Sequence, residues 1–420
     1  MHILDDLRWR GLLAQTTDET ALREAFDSGP VTVYCGFDPT APSLHHGHLV
    51  QLVLLRHLQQ AGHQVLTLVG GATGLIGDPR MSGERVLNTK DTVHEWVERL
   101  RAQISRFLDF EGPGAARMVN NLDWTGELTA IDFLREIGKH YRLGTMLAKD
   151  TVARRLASDE GISFTEFSYQ ILQGMDFLEL NRRYGCTLQT GGNDQWGNLL
   201  SGVELIRKSE HRTVHALTTP LITKADGTKF GKSEGGAIWL APDMMTPYAF
   251  FQFWLNTDDA DVERYLRIFT FRTREEIAEL AAAVAERPAA REAQRALAHD
   301  VTALVHGSQA ADNVIEASRA LFGRGDLAQL DAETLGAAVA ELPRAAARPE
   351  GELVVDLLVA SGLVAGRGAA RRAVNEGGVS INNVRVLDED AVLAPDQYLH
   401  GRWALLRRGK KTLAVAELSS

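Results

Sequence analysis

The sequence predicts an α/β protein with a parallel sheet, followed by an all-helical domain and a small α+β domain. A strand, a helix and a second strand follow one another near the amino terminus, which is the order of a parallel unit. Over residues 247–342, Ala, Glu, Arg and Leu recur at helical spacing. The 420 residues, 45 % of them hydrophobic and 24 % charged, are typical of a soluble globular chain with about three domains.

The first parallel unit is predicted from two apolar segments. Residues 31–35 are β-branched or aromatic and predict a buried strand, and residues 65–69 predict another. The helix between them covers about 45–61 and ends at Gly62. Since ligands of parallel sheets bind beyond the carboxyl ends of the strands, we expect a crevice formed by residues 34–38 and 70–78 of a Rossmann-like domain over 1–240.

The same layout recurs later in the chain. Ser163 and Glu166 have the spacing of a capping box and predict a helix through about residue 182. Residues 187–190 predict a strand, and glycines then lead into a helix near Asp194. These elements extend the predicted sheet and its crevice.

The second half of the chain is predicted to form two further domains. A helical domain covers 247–342, and the Pro- and Ala-rich segment 343–350 predicts a linker. The last domain, 351–420, has two short helical patterns, over about 353–360 and 366–376. A hairpin turning at Asn382-Asn383 follows them.

Composition excludes several classes of protein. The formal net charge of −10 disfavours a protein that coats nucleic acid, and the apolar runs are too short to cross a bilayer. The first ten residues do not have the pattern of a secretory signal, so we expect a cytoplasmic protein without a membrane partner. Cys35 and Cys186 lack the spacing of a zinc site, and no protein-bound metal or prosthetic group is expected.

The carboxyl-terminal segment is the more basic part of the chain. From residue 351 onward nine Lys or Arg face eight Asp or Glu. A group near the end combines cations with an aromatic ring, which suits contact with phosphates and bases, although a solvated basic end is an equally open interpretation. The group consists of Arg402, Trp403, Arg407, Arg408, Lys410 and Lys411.

Two histidines at the start of the first predicted helix indicate an anion site. His45 and His48 are three residues apart and share one face beside the free N–H groups of the helix end. Gly47 between them leaves no side chain in the way, and Thr40 lies in the loop that precedes them. Two ordinary polar residues at a helix start are the alternative, which the position at the crevice disfavours.

A second element with lysines and glycines lies between residues 224 and 236. Lys229 and Lys232, followed by Ser233, are typical of a loop that closes over a polyphosphate and stabilises charge on the leaving group. An ordinary charged surface loop is the alternative on this feature alone.

The helix after Ser163 carries a polar stripe. Tyr169, Gln173 and Asp176 are spaced at i, i+4 and i+7, which places them on one face and indicates a pocket for a small molecule with an ammonium and a hydroxyl group. A solvent-exposed face is the alternative.

The turn around residue 192 indicates contact with a nucleotide. Gly192 allows close approach of the backbone, and Asp194 can bind ribose hydroxyls, although a simple helix cap is the alternative. Cys35 has no basic partner beside it and is predicted to pack, with a possible ribose contact, and not to act as a nucleophile.

Together these motifs resemble the class I aminoacyl-tRNA synthetases, and in particular their bacterial tyrosine branch. Residues 45–48, His-His-Gly-His, resemble the family's His-Ile-Gly-His signature, and residues 229–233, Lys-Phe-Gly-Lys-Ser, resemble its Lys-Met-Ser-Lys-Ser loop. Residues 34–40, 69–78 and 191–197 are also similar to the tyrosine branch. His46 departs from the usual Ile. The resemblance covers almost the whole chain and implies that the helical domain over 247–342 binds the anticodon and that the tail is of the S-four RNA-binding type.

The resemblance also implies roles for individual residues. Tyr34 and Asp176 bind the substrate phenol, Asp78, Tyr169 and Gln173 bind its ammonium, and Gln195 binds its carboxyl end. On the ATP side, Cys35, Gly36, Gly47, His48, Gly192 and Asp194 contact the nucleotide, and Asp38 lies beside the reacting carboxylate. Thr40 and His45 meet the far phosphates, and Lys229, Lys232 and Ser233 close over them.

The implied activity is the ligation of tyrosine to tRNA(Tyr) in two steps, through tyrosyl-adenylate with release of pyrophosphate. ATP is the substrate, with Mg²⁺ on its polyphosphate, and a homodimer is expected from the resemblance. A tryptophan-specific relative is one alternative and should lack the pair Tyr34 and Asp176. A non-catalytic RNA-binding relative is the other and would have lost His45, His48 or the lysine loop, all of which this sequence retains.

Overall fold

A computed structural model describes residues 1–80, 83–228, 230–231, 237–409 and 412–418. The chain forms two compact units. The first contains Met1–Met245 and Asn256–Leu297, and the second contains Thr246–Leu255 and Ala298–Ser420. The helices predicted to form one domain over 247–342 are therefore shared between the two units, and the three predicted domain ranges stay a prediction.

The first unit is built on a six-stranded sheet in the order β1-β6-β5-β2-β3-β4. All neighbouring pairs are parallel except the edge strand β1, which pairs antiparallel with β6. This confirms the predicted α/β class with a parallel sheet. The strands are β1 (Gln15–Thr16), β2 (Thr32–Phe37), β3 (Gln64–Val69), β4 (Arg117–Asn120), β5 (Leu188–Gly192) and β6 (His215–Thr219).

Helices cover this sheet and complete the first unit. They are α1 (Ile3–Arg10), α2 (Glu19–Ser28), α3 (His46–Gln60), α4 (Lys90–Ile104), α5 (Leu122–Thr125), α6 (Ala130–Asp132), α7 (Leu143–Leu147), α8 (Asp150–Leu156), α9 (Phe164–Tyr184) and α10 (Trp196–Glu210). Two more, α12 (Asp259–Phe269) and α13 (Arg274–Glu286), belong to this unit, as does the start of α14 (Glu292–His306).

The centre of the sheet explains where a ligand can enter. Strand β2 lies between β3 and β5, so the chain leaves β2 toward one side of the sheet and returns on the other. In the register of the sheet, Tyr34 of β2 lies opposite Leu66 of β3 on one side and opposite Gln189 of β5 on the other. Such a reversal of strand order opens a crevice at the carboxyl ends of the strands. The predicted crevice lies at this point.

The predicted strands and helices of the first unit are confirmed within a few residues, with one change at α9. The Ser163 hydroxyl accepts the N–H of Glu166 at 3.3 Å, as in a capping box. The Glu166 carboxylate does not complete the box. It forms a buried ion pair with Arg155 at 2.8 Å and accepts the N–H of Arg85 at 3.0 Å, because Arg155 offers a stronger, charged donor than the helix end.

The second unit combines helices with a second sheet. Its helices are α11 (Pro247–Leu255), the remainder of α14, α15 (Ser308–Leu321), α16 (Ala332–Val339), α17 (Val354–Ala360) and α18 (Arg367–Asn375). Its strands are β7 (Arg344–Ala347), β8 (Glu352–Leu353), β9 (Val379–Ile381), β10 (Val384–Arg385), β11 (Val392–Leu393), β12 (Trp403–Arg408) and β13 (Thr412–Leu418). Five of these strands pair in the order β10-β9-β12-β13-β7, and β8 pairs with β11.

The second unit confirms the short helices and the hairpin, and it corrects the linker. Asn382 and Asn383 both have positive φ, 46° and 68°, as a two-residue hairpin turn requires. The linker prediction is wrong for Arg344–Ala347, which forms β7 parallel to β13. Ala345 and Ala347 are buried, and their small side chains alternate with exposed ones as in a strand with one face packed.

The basic carboxyl-terminal group is partly folded inward. Trp403 is only 8 % exposed and packs in a core with Leu321 and Leu405, so it does not offer a ring for stacking on a base. Arg402 pairs with Glu417 at 2.8 Å, and Arg408 donates to the carbonyl oxygen of Leu363. Lys410 and Lys411 lie outside the described residues. In the part of the chain that the structure describes, no helix is long and apolar enough to cross a membrane.

Candidate active site

A cavity of about 680 Å³ lies at the carboxyl ends of the central strands of the first unit. Every predicted site residue that the structure describes lines it, although the sequence reasoning drew them from separate segments of the chain. They are Tyr34, Cys35, Gly36, Asp38, Thr40, His45, Gly47, His48, Asp78, Tyr169, Gln173, Asp176, Gly192, Asp194 and Gln195. The predicted residues Lys229, Lys232 and Ser233 lie outside the described residues.

The two signature histidines form a reciprocal cap at the start of α3. The N–H of Gly47 donates to Nδ1 of His45 at 3.0 Å, and the N–H of His45 donates to Nδ1 of His48 at 3.1 Å. Burial holds the pKa of His48 well below its ordinary value, so this ring is neutral. Since its Nδ1 accepts a hydrogen bond, the proton of His48 is on Nε2, which makes Nε2 a donor.

Gly47 is required by the shape of this cap. A Cβ added at residue 47 would lie 2.9 Å from Cε1 of His45, closer than real side chains approach one another. The histidine rings of residues 45 and 48 lie with their centroids 4.0 Å apart. The arrangement therefore presents two imidazoles and a helix N-terminus to one side of the cavity, which suits an anion.

His46, which departs from the family signature, packs against Phe230 and Gly231. Its ring centroid lies 5.2 Å from that of Phe230 in an edge-to-face arrangement. A Cβ at Gly231, where φ is +77°, would lie 2.2 Å from Cε1 of His46. The histidine thus fills the space that a side chain at residue 231 would need.

At the deep end of the cavity, a buried phenol and a buried carboxyl lie within electrostatic reach of one another. Tyr34 is 1 % exposed, and among the described residues its hydroxyl has no hydrogen-bond partner. Asp176 accepts from Nδ2 of Asn121 at 3.0 Å and from Nε1 of Trp124 at 2.9 Å. Burial raises the pKa of Asp176 to about 8, against the opposing effect of these two hydrogen bonds.

Sequence reasoning missed Asn121 and Trp124. Both follow β4, whose pattern was too short to be predicted as a strand. Asn121 also donates to the Thr73 hydroxyl at 2.9 Å and accepts the N–H of Ala72 at 2.7 Å, so its amide orientation is fixed by the backbone. The signal available was Asn120-Asn121 at the end of an apolar segment, the position where parallel strands place polar groups at a site.

In the middle of the cavity two hydroxyls hold Asp38. The Tyr169 hydroxyl donates to Oδ2 of Asp38 at 2.6 Å, and the Thr73 hydroxyl donates to Oδ1 at 2.6 Å. Burial raises the pKa of Asp38, and the two hydrogen bonds oppose this rise. A Cβ at Gly70 would lie 2.0 Å from Oδ1, so the glycine makes room for this carboxylate. Tyr169 can still accept a hydrogen bond from an ammonium group on its oxygen.

A second carboxylate, Asp78, is held by two amides. Gln195 donates to it at 3.1 Å, and Asn198 donates to its other oxygen at 3.1 Å. Gln195 was predicted to bind the substrate's carboxyl end, and its amide nitrogen is directed at Asp78 here. Asn198 is a further residue that sequence reasoning missed. Oε1 of Gln173 is buried and without a hydrogen-bond partner among the described residues, which leaves an acceptor on the cavity wall.

Cys35, which the sequence predicts to pack and not to react, is buried at 3 % exposure. Burial raises the pKa of the Cys35 thiol to about 12, so it stays protonated, as the sequence predicts. Gly36 and Thr40 are exposed at the cavity's mouth, and Asp194 is exposed beside Gly192. Within the described ranges, no group of three or more His, Cys, Asp or Glu is arranged to hold a metal ion.

Two segments of the chain match the descriptions of known protein families. Residues 27–323 match "tRNA synthetases class I (W and Y)", and residues 334–416 match "Tyrosine--tRNA ligase SYY-like C-terminal domain". The tyrosine–tRNA ligase of Streptomyces avermitilis is 64 % identical over 418 residues, which is 99 % of each chain. That of Mycobacterium tuberculosis H37Rv is 59 % identical over 418 residues, 99 % of this chain and 98 % of the relative.

The chain also resembles solved structures of tyrosyl-tRNA synthetases. A C-terminally truncated mitochondrial tyrosyl-tRNA synthetase from Coccidioides posadasii aligns with a TM-score of 0.67 and 32 % identity, over 75 % of this chain and 91 % of that one. The tyrosyl-tRNA synthetase of Archaeoglobus fulgidus, solved with L-tyrosine, aligns with a TM-score of 0.55 and 16 % identity, over 74 % of this chain and 99 % of that one. The second match bears on the fold alone.

Proposed function

The chain belongs to the class I tRNA synthetases, and we propose that its cavity first joins tyrosine to AMP and then passes the tyrosyl group to tRNA(Tyr). The chain is an ATP-dependent enzyme that ligates tyrosine to tRNA, as its relatives at 59–64 % identity over nearly their full length are named for doing. The observation that carries the choice of tyrosine is the buried pair at the deep end of the cavity. The phenol of Tyr34 has no hydrogen-bond partner among the described residues, and the carboxyl of Asp176 can accept a further donor, so the hydroxyl of tyrosine would supply the polar group that this end of the cavity lacks.

The other end of the amino acid is recognised by charge. Asp38 and Asp78 line the cavity together with the oxygen atoms of Tyr169 and Gln173, so the site offers acceptors to an ammonium group. Two of the four aspartates that line the cavity, Asp38 and Asp78, lie among these acceptors, and their carboxylates favour a cationic group over an anionic one in this part of the cavity. We assign the ammonium of tyrosine to Asp78, Tyr169 and Gln173, with Asp38 beside the carboxylate that reacts.

The phosphates of ATP are assigned to the start of α3. There His45, His48 and the helix N-terminus provide donors, with Thr40 nearby and Cys35, Gly36, Gly192 and Asp194 toward the ribose. The amino-acid carboxylate attacks the α-phosphorus, and pyrophosphate leaves with its charge stabilised by these donors. We propose that Lys229, Lys232 and Ser233 close over the pyrophosphate and that Mg²⁺ is bound by the polyphosphate. This chemistry needs positioning and charge stabilisation and no covalent nucleophile.

The function is tested by ATP–pyrophosphate exchange with tyrosine, tryptophan and phenylalanine in parallel. We expect exchange with tyrosine and at least about a thousandfold lower kcat/KM with the other two, because phenylalanine lacks the hydroxyl that would pair with Tyr34 and Asp176, and the larger indole of tryptophan does not carry a hydroxyl there. Preference for tryptophan would favour the tryptophan-specific alternative. No exchange with any amino acid, together with retained RNA binding, would favour the non-catalytic alternative.

We propose that the chain acts as a homodimer. Support comes from the first unit, where seven large apolar side chains are exposed between the start of α5 and the start of α9, since exposed apolar surface of this kind marks interaction sites. They are Leu122, Ile131, Leu134, Leu143, Leu147, Leu156 and Phe164. Sedimentation should give twice the chain's 46.1 kDa, and Ile131→Glu with Leu143→Glu should reduce it to the single-chain mass. A single-chain mass for the unaltered protein contradicts the proposal.

We further propose that the protein works in the cytoplasm, where tRNA, ATP and tyrosine are available. The two buried thiols are unpaired, which fits a reducing compartment. Fractionation of cells that express a tagged chain tests this. Recovery in the membrane fraction or outside the cell contradicts it.

A further inference from the structure

The carboxylate of Asp78 is oriented by a closed set of hydrogen bonds behind the cavity wall. Gln195 and Asn198 each donate to one of its oxygens at 3.1 Å. Nδ2 of Asn198 also donates to Oε1 of Gln195 at 2.8 Å, so each amide fixes the other. Both carboxylate oxygens therefore receive hydrogen bonds from amides whose orientations depend on Asn198.

The orientation of Asn198 is in turn fixed by Lys149. Nζ of Lys149 donates to Oδ1 of Asn198. An ammonium group has donors and no acceptor, so only the oxygen of the amide can face it. If the amide were reversed, its oxygen would face the carboxylate of Asp78 and its NH₂ group would face the lysine, which are two unfavourable contacts.

Gly197 makes room for this lysine. A Cβ at residue 197 would lie 2.8 Å from Cε of Lys149. Gly197 does not line the cavity, and its φ is not in the left-handed region, so neither ligand contact nor backbone conformation accounts for a glycine on the first turn of α10. Contact with Lys149 does account for it.

The charge of Lys149 also acts on Asp78. Burial raises the pKa of Asp78, and Lys149 is among the groups that lower it again. Burial lowers the pKa of Lys149 to about 8, while Asp78 opposes that change, so a large part of the lysine remains protonated at neutral pH. A charged Lys149 therefore helps to keep Asp78 ionised.

We propose that Lys149, acting through Asn198, is a positioning residue for the ammonium-binding carboxylate Asp78, and that residue 197 is glycine because a side chain there would displace the lysine. This inference rests on the proposed function, in which Asp78 receives the ammonium of tyrosine. Lys149 itself does not line the cavity and takes no part in the reaction.

The test compares ligands with and without an ammonium group. In pyrophosphate exchange, Lys149→Met should raise KM for tyrosine about tenfold and leave kcat and KM for ATP within about twofold, because a ground-state contact to the ammonium is weakened. As competitive inhibitors, tyramine should lose affinity by the same factor, and 3-(4-hydroxyphenyl)propionate, which has no ammonium, should be unaffected. Lys90→Met, at an exposed lysine at the start of α4 that lies outside the cavity lining and the proposed dimer surface, is the matched control and should change nothing.

A double-mutant cycle provides the second measurement. Gly197→Ala alone should raise KM for tyrosine several-fold, and in the Lys149→Met background it should add less than about twofold, because the lysine that it displaces is absent. This variant also keeps the inference testable if Lys149→Met does not fold.

Three results would overturn the inference. The first is a KM for tyrosine that is unchanged in both Lys149→Met and Gly197→Ala. The second is an equal loss of affinity for tyramine and for 3-(4-hydroxyphenyl)propionate. The third is that the effects of the two substitutions on KM are additive in the double variant. Failure of the proposed function has a different signature: the unaltered protein would not exchange with tyrosine, or would bind tyramine no better than the propionate. A loss confined to tRNA charging, with exchange intact, would place Lys149 in RNA contact and also overturn the inference.

Discussion

In the proposed site, selection between tyrosine and phenylalanine would depend on single polar atoms at the deep end of the cavity. The two rings differ by one hydroxyl, and apolar packing discriminates weakly between them, whereas tyrosine enzymes of this class are an established example of strong selection through a hydrogen-bonded hydroxyl. In the proposed site, phenylalanine would leave the buried hydroxyl of Tyr34 without a partner and would remove one donor from the carboxyl of Asp176, and an unsatisfied buried group costs more than an ordinary hydrogen bond contributes. Selectivity is therefore expected to fall stepwise as these atoms are removed.

Tyr34→Phe removes one neutral partner and keeps the ring in the core beside Phe177. We expect the ratio of kcat/KM for tyrosine to that for phenylalanine to fall by about one order of magnitude, which corresponds to one ordinary hydrogen bond. Exchange kinetics with both amino acids measure this ratio. An unchanged ratio would remove Tyr34 from the specificity site.

The pKa of Asp176, about 8 in the cavity, predicts a pH dependence of tyrosine binding. A substrate phenol that donates to the carboxylate requires its ionised form, and a raised pKa favours the protonated form at lower pH. Affinity for tyrosine should therefore be full above pH 8 and fall by up to about tenfold per pH unit as the pH drops from about 8 toward about 6. Equilibrium binding of phenylalanine is the control, and its affinity should not show this fall with pH. Binding of tyrosine to the Asp176→Asn variant should not show it either. If the ratio of the affinity for tyrosine to that for phenylalanine stays constant between about pH 8 and about pH 6, the assignment of the substrate phenol to Asp176 is wrong.

At the scale of helices and strands, local sequence patterns predicted most of the elements near the site. The elements that were not predicted depend on pairing between residues that are distant in sequence. The strands at 31–35 and 65–69 and the helix between them have strong patterns, and the structure places them within a few residues. Strand β7 was missed because its residues are small and its partner β13 is distant in sequence. Asn121, Asn198 and Lys149 were missed because each acts on a predicted site residue through a contact between residues distant in sequence, which no local pattern shows.

Glu166 illustrates how a distant partner overrides a local pattern. Spacing predicts that it caps α9, and the structure pairs it with Arg155, both side chains being almost fully buried. Removing one partner of a buried ion pair leaves the other charge uncompensated. Glu166→Ala should lower the free energy of unfolding by about 3–5 kcal/mol, and the double replacement Arg155→Met with Glu166→Leu should recover most of that loss. Urea unfolding of the single and the double variant measures the free energy of unfolding of each. An equal decrease in both would show that packing, and not the uncompensated charge, causes the loss of stability.

For the whole molecule, the division into two units places the cavity entirely in one of them. Every residue that lines the cavity belongs to the first unit. In the second unit, one core joins residues from both sides of the predicted boundary at 343–350, with Leu321 and Val339 packed against Leu405 and Val415. Removing residues 351–420 would therefore expose this core, and a test of the second unit's role needs substitutions on its surface.

Two exposed arginines on α18, Arg371 and Arg372, provide such a test. They offer positive charge within the domain that is predicted to bind RNA, and neither contributes to the core of the second unit. If this surface contacts tRNA phosphates, Arg371→Glu with Arg372→Glu should raise KM for tRNA by about tenfold or more and reduce its dependence on salt, because phosphate contacts supply the electrostatic part of RNA affinity. Pyrophosphate exchange should stay within about twofold, since the cavity lies wholly in the first unit. The control is Arg101→Glu, at an exposed arginine of α4 in the first unit that lies outside the cavity lining and outside the proposed dimer surface. A loss of exchange in the folded double variant would show that the second unit takes part in adenylate formation, and unchanged charging would place the tRNA contact elsewhere on the protein.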